Sequence, residues 1–221
     1  MVFESASRSA ATGDTAAAIA GLEQAISWDP GKSLYRHGLG SVHARVFQST
    51  GKQQDFEKSQ SAFRQAIDLN PLDNRLPGLM GQLYVSAAEA PRSSIVTIEE
   101  RKARLRLASQ AYEQAIGLAP FSATYRNEQA KIYWILGERK KAEQRAREAQ
   151  VLEPNYLPAR ELLVRLWLDD GRLEEAKEQL REIKTRRSRF WAQRKNGLDQ
   201  AFLNVDVTSL GTAVHERDIA G

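Results

Sequence analysis

The 221-residue chain contains no cysteine. That excludes disulfides and thiolate metal sites, and it leaves cysteine usage silent on redox compartment. Histidine is scarce too. His37, His43 and His215 stand without a partner at metal-ligand spacing, and His37 and His43 do not share a helical face. No run approaches eighteen apolar residues, and the opening "MVFESASRSAATGD" lacks the apolar stretch of a secretory signal, so the chain as written neither spans nor crosses a membrane. That opening reads as the middle of a structural unit, as in a segment of a longer protein. "GLGSVH" at 38–43 has no strand before it, which removes the context a phosphate-binding loop needs. Carboxylates are abundant, but Glu174 and Glu175 near Lys177 and Lys184 are typical of them, decorating a helix surface at salt-bridge spacing. With no nucleophile, base or metal set, the expectation is a noncatalytic protein with no cofactor and no small-molecule substrate.

What is present is helix former. The chain is 42% hydrophobic and 27% charged, enough apolar residue to bury a sizeable core. Ala, Leu, Glu, Gln, Arg and Lys dominate every long stretch, which predicts an all-α protein. Four segments echo one another: "AGLEQAISWDP" at 20–30, "SAFRQAIDLNP" at 61–71, "QAYEQAIGLAP" at 110–120 and "QRAREAQVLEP" at 144–154. The shared pattern sets a small residue (Ala18, Ser59, Ala108, Ala142), a second residue four later (Leu22, Phe63, Tyr112, Ala146) and an alanine three after that (Ala25, Ala66, Ala115, Ala149). Such spacing draws one packing stripe along a helix. Pro30, Pro71, Pro120 and Pro154 then stop each helix, because proline lacks an N–H and disfavours helical geometry in its predecessor.

A second pattern follows the prolines, clearest in "EQAKIYWILGERKKA" at 128–142 and "LLVRLWLDDGRLEEA" at 162–176. Ala130, Tyr133, Gly137 and Ala142, and likewise Val164, Trp167, Gly171 and Ala176, predict a helix, a tight turn at glycine and a second helix. In these residues the chain resembles the tetratricopeptide repeat (TPR) family, a helix-turn-helix unit with a period of 34 residues. Pro120 to Pro154 is that period, whereas Pro30 to Pro71 is 41 and Pro71 to Pro120 is 49 residues. The extra residues fall near "VFQSTGKQQDFEK" and "SAAEAPRSSIVTIEERKAR", between the two helices of their hairpins. Gln129, His43 and Ser188 depart from the family pattern, the last standing where a further proline would fall. The resemblance implies an α-solenoid superhelix of four to five hairpins over 1–184, with a capping helix and tail over 185–221. Phe190, Trp191, Leu198 and Phe202 are the side chains expected to cover its end.

The resemblance also implies a concave groove built by the first helix of each hairpin, where such repeats hold a protein or peptide partner. Carried onto this chain, the groove positions include Arg45, Gln82, Asn127, Lys131, Trp134 and Arg165. Trp134 among polar donors has the composition of an interaction hot spot. The carboxylate clamp of the cochaperone TPR proteins is absent: its positions hold His37, Ser41, Leu79, Thr124 and Glu128. A second feature is charge. The net charge is +4, yet 181–195 alone carries seven bases against Glu182, so the basicity is local. Arg186, Arg187, Arg189, Arg194 and Lys195 form a basic patch suited to an anionic membrane surface. Nucleic acid is disfavoured, because few stacking aromatics interleave with the bases.

More narrowly, "GDTAAAIAGLEQAISWDPGKSLYRHGLG", "NPLDNRLPGLMGQLY" and "AFLNVDVTSL" resemble the C-terminal TPR region of bacterial O-antigen ligases and glycan polymerases. That resemblance implies a domain tethered to the inner membrane of the cell envelope, on a side the sequence does not reveal, with catalysis in an absent membrane portion. The expected function is a protein-interaction scaffold. The competing reading is an autonomous RNA-binding or regulatory helical repeat protein.

Overall fold

The computed structural model describes residues 2–89, 97–192 and 205–220, in which eleven α-helices form and no strand appears. The chain divides into two compact units, Met1–Pro120 and Phe121–Gly221. The first holds three hairpins: α1 (Val2–Thr12) with α2 (Thr15–Trp28), α3 (Ser33–Thr50) with α4 (Gln53–Leu69), and α5 (Arg75–Ala88) with α6 (Ile98–Leu118). The second holds α7 (Ala123–Ile135) with α8 (Arg139–Leu152), α9 (Leu157–Asp169) with α10 (Leu173–Ala192), and a last helix, α11 (Val207–Ala220). Within a unit each hairpin hands on to the next, α2 packing on α3, α4 on α5 and α8 on α9. The architecture is the all-α arrangement of stacked helical hairpins that the sequence period predicts.

The repeated stripe is the reason these helices pair. All twelve stripe residues, from Ala18 and Leu22 to Ala146 and Ala149, are buried. Small side chains allow close approach. A Cβ placed on Gly40 would meet the Phe63 ring at 2.7 Å, and one on Gly81 would meet the Tyr112 ring at 2.9 Å. Glycine at these two positions therefore makes room for the large stripe residue of the partner helix. Gly137 and Gly171 have a different task, closing the α7–α8 and α9–α10 turns with φ of 79° and 73°, a region costly for any residue with a Cβ.

The seven-residue insertion lengthens α3 and α4 to 18 and 17 residues, against 13 and 14 for α7 and α8. It brings its own core. Phe47 and Phe56 are buried with ring centroids 5.5 Å apart, and Tyr84 extends the cluster at 6.1 Å from Phe56. His43 is buried there as well, its Nδ1 3.0 Å from Asp55 Oδ1, so a polar pair takes the place of the usual aromatic. The larger insertion extends α6 at its start to 21 residues. Thr97 Oγ1 accepts from the Glu100 N–H at 3.1 Å, while the Glu100 carboxylate accepts from the Thr97 N–H at 2.8 Å, a reciprocal cap for the new helix end.

At the other end α10 continues through residue 184 to Ala192, because Ser188 stands where a proline would have stopped it. Of the side chains expected to cover the terminal hairpin, those of Phe190, Trp191, Leu198 and Phe202 lie outside the described residues. Among the described residues Val205, Leu210 and Val214 join the core of α9 and α10, Leu210 with no exposed surface. The Lys177 ammonium meets Asp218 at 2.6 Å and ties α10 to α11.

Candidate functional site

The first helices of the two hairpins in Phe121–Gly221, α7 and α9, border a groove of about 550 Å³. Lys131 and Trp134 reach it from α7 and Arg165 from α9, together with Ile135, Leu162 and Pro158. The reason lies in the helix period: Thr124, Glu128, Lys131 and Ile135 recur along one face of α7, while Ala123, Asn127 and Ala130 recur along another that is buried. Trp134 is half-buried. Its ring packs on the core formed by α8, α9 and α10, and its Nε1 donates to Asp169 at 3.0 Å. One aromatic thus stiffens the groove wall and presents a face to it.

The charges in the groove are internally balanced. Lys131 pairs with Glu128 at 2.7 Å, and Arg165 pairs with Glu161 at 2.8 Å with a second guanidinium contact at 3.1 Å. Each base lies one turn beyond its acid, so α7 and α9 present matching rows of carboxylate and then cation. Side-chain exposures of 44% for Lys131 and 36% for Arg165 leave both cations reachable from solvent. Tyr156, the residue before α9, closes one wall. Burial and then the Glu128 charge push its hydroxyl up to about 12, against the opposing effect of the Thr124 and Asn127 side chains. It is a neutral donor at ordinary pH.

Asn127 is placed differently from the groove position carried over by family resemblance. It is fully buried, and neither its Nδ2 nor its Oδ1 completes a hydrogen bond of sound geometry although the Tyr156 hydroxyl is near. Burial beneath the wall follows from the small residues Ala123 and Ala130 on the same side of α7, which draw that side onto its neighbours. Glu128, Tyr156 and Leu162 complete the lining and were not among the groove positions; Tyr156 precedes α9, outside the helical period that selects the rest.

Arg45 and Gln82 come together in a second, smaller groove of about 160 Å³ between α3 and α5, with Ser41, Gln48 and Leu79. Both side chains are exposed. Arg45 also donates to the Ala10 carbonyl, and Gln48 Nε2 spans to Ser86 Oγ at 3.0 Å. Of the basic patch, Arg186 and Arg187 are half-buried and Arg189 exposed on α10; Arg194 and Lys195 lie outside the described residues. Arg186 donates to Glu182 at 3.0 Å and to Asn155 Oδ1 at 3.0 Å. Among the described residues no helix is long and apolar enough to cross a membrane.

No known family profile matches the chain, and no curated protein matches its sequence. Solved structures do match. A thermophilic TPR protein of Thermus thermophilus superposes with a TM-score of 0.61 at 20% identity, covering 97% of each chain. MamA of Desulfovibrio magneticus gives a TM-score of 0.62 at 12% identity over 86% of this chain and 93% of its own. PilW, a type IV pilus biogenesis factor, gives 0.61 at 17% identity over 99% and 90%. At these identities the likeness is one of fold, and the fold it shows is the tetratricopeptide type.

Proposed function

We propose that the chain is a noncatalytic interaction scaffold that holds a peptide segment of a protein partner in the groove between α7 and α9. The observation that carries this reading is the convergence of Lys131, Trp134 and Arg165 with Ile135 and Leu162 on one groove of about 550 Å³. Trp134 is the anchor: a large rigid surface that is already oriented by Asp169 loses little freedom when a partner covers it. Lys131 and Arg165 supply donors whose carboxylate partners keep the free groove neutral. The repeat part, 1–184, serves as the scaffold and 185–221 as its cap and tail. In the narrower reading this scaffold is appended to an O-antigen ligase or glycan polymerase of the bacterial envelope; support for it is confined to the three sequence segments, and a multi-span membrane segment encoded upstream in the parent gene is its test.

A photoreactive side chain at Ile135, which is exposed in the groove, tests the groove in the producing cells. A discrete protein adduct is expected, absent when the probe is moved to Lys140 on the exposed side of α8 and lost with Arg165→Glu. Trp134→Ala with Lys131→Glu should abolish the same adduct while helicity stays near the parent value. Equal crosslinking from Ile135 and Lys140, or RNA as the recovered species, would overturn the reading.

A further inference from the structure

Most exposed large apolar side chains among the described residues are not scattered. Trp28, Leu69, Leu72, Leu118, Phe121 and Val151 all stand within three residues of Pro30, Pro71, Pro120 or Pro154, at the turns that join one hairpin to the next. Phe121 is 84% and Val151 78% exposed. These turns lie at one end of the hairpins in each unit, where the second helix stops and the next first helix starts.

In the unit Phe121–Gly221 a cationic surface occupies the same end. Ala123 and Ala149 share a small core with Tyr156, so Phe121, just before Ala123, and Val151, just after Ala149, leave that core at the same edge. Arg186 reaches Asn155 in the neighbouring turn at 3.0 Å, which fixes the level of α10 at this edge. The helix then runs on to Ala192, carrying exposed Arg189 with Arg187 one turn from exposed Lys184. Apolar knobs and cations therefore share one end of this unit.

We propose that this edge, Phe121 and Val151 with Lys184, Arg187 and Arg189, docks on the surface of an anionic lipid bilayer. Charge complementarity selects the occupant: bases near a negatively charged bilayer surface each contribute roughly 1 kcal/mol, and exposed apolar side chains beside them enter the headgroup boundary as an interfacial anchor does. A bilayer accepts isolated knobs wherever they fall, with no pocket matched to each. The edge uses none of the residues that line the α7–α9 groove, and this inference does not depend on what the groove binds.

Flotation of the full chain with vesicles tests it, comparing phosphatidylcholine alone with an equal mixture of phosphatidylcholine and phosphatidylglycerol. Binding is expected only to the mixed vesicles and should fall steeply with salt. Lys184→Gln with Arg189→Gln should weaken it by roughly thirtyfold, and Phe121→Ser with Val151→Ser by about tenfold or more. All four positions lie outside the hydrophobic core, and circular dichroism verifies that each variant keeps its helicity. Failure to float with mixed vesicles, equal binding to both vesicle types, or indifference to the apolar pair would each overturn the proposal. Retention instead of a mixed-sequence RNA, lost only in the Lys184 and Arg189 variant, would assign the bases to phosphate binding without a membrane.

Discussion

Trp167 joins burial to polar contacts in the terminal hairpin. It is buried, its Nε1 donates to Glu143 at 2.9 Å, and the guanidinium groups of Arg147 and Arg172 each stand 5.2 Å from its ring centroid. Burial raises the Glu143 carboxyl, but the bonds from Trp167, Arg147 and Arg172 outweigh it and hold the group below the usual carboxylate range. Trp167→Ala removes the aromatic and one of the donors to that carboxylate, so a loss of about 3 to 5 kcal/mol is expected in denaturant unfolding. His37 gives a prediction of opposite chemistry. Burial, then the Arg75 charge, lowers its pKa, with Asp73 opposing. A histidine harder to protonate when folded stabilises the native state above its unfolded value of about 6.5, and that contribution is lost as the pH falls through and below it. Melting temperature should therefore drop between neutral and mildly acidic pH, and His37→Gln should reduce that drop. At this scale the sequence revealed the core positions well, since Trp167 and the alanine stripe obey a strict spacing. It revealed Asn127 poorly: the repeat pattern gives a residue's angle around α7 but not how closely the neighbouring helices approach there.

Helix ends were less legible than helix existence. The start of α6 illustrates why. "TIEE" at 97–100 has the spacing of a capping box, yet the proline and serines before it draw attention as a generic insertion, and the two extra turns of α6 are visible only once the cap is recognised. The shorter insertion was legible in place but not in form: Gly51, with φ 68°, confines the turn between α3 and α4 and leaves the added residues to lengthen both helices. α11 was the least legible of all, because "VTSLGTAVHERDIA" follows no repeat. Its function is inferred from one side chain. Leu210 is completely buried against the α9–α10 core, so Leu210→Ala should destabilise by roughly 2 to 5 kcal/mol. Release of α11 would also expose Leu180 and Ile183 of α10, and stronger binding of a hydrophobic dye before global unfolding is the expected signature. A variant that melts like the parent and binds no more dye would show that α11 contributes little to closing the hairpin.

Across the whole molecule, the division at Pro120 and Phe121 governs how a local loss should spread. In repeat architectures each hairpin is stabilised chiefly by its neighbours, so stability is the sum of local terms and nearest-neighbour interfaces. Cooperative units can then open at different free energies. Leu163 is fully buried in the core that joins α9 to α8, α10 and α11. Leu163→Ala should remove stabilisation on the order of 2 to 5 kcal/mol from that core and leave the Phe47, Phe56 and Tyr84 cluster of the other unit untouched. Amide hydrogen exchange reads the two regions separately. Protection in α7–α10 should fall by about 30-fold to 5,000-fold where exchange follows unit opening, the equivalent of a loss of 2 to 5 kcal/mol, while amides of α3 and α4 keep their parent protection. Equal loss of protection in α3 and α4 would mean that the chain opens as one cooperative body, and that the boundary at Pro120 marks a change in packing density without a change in stability.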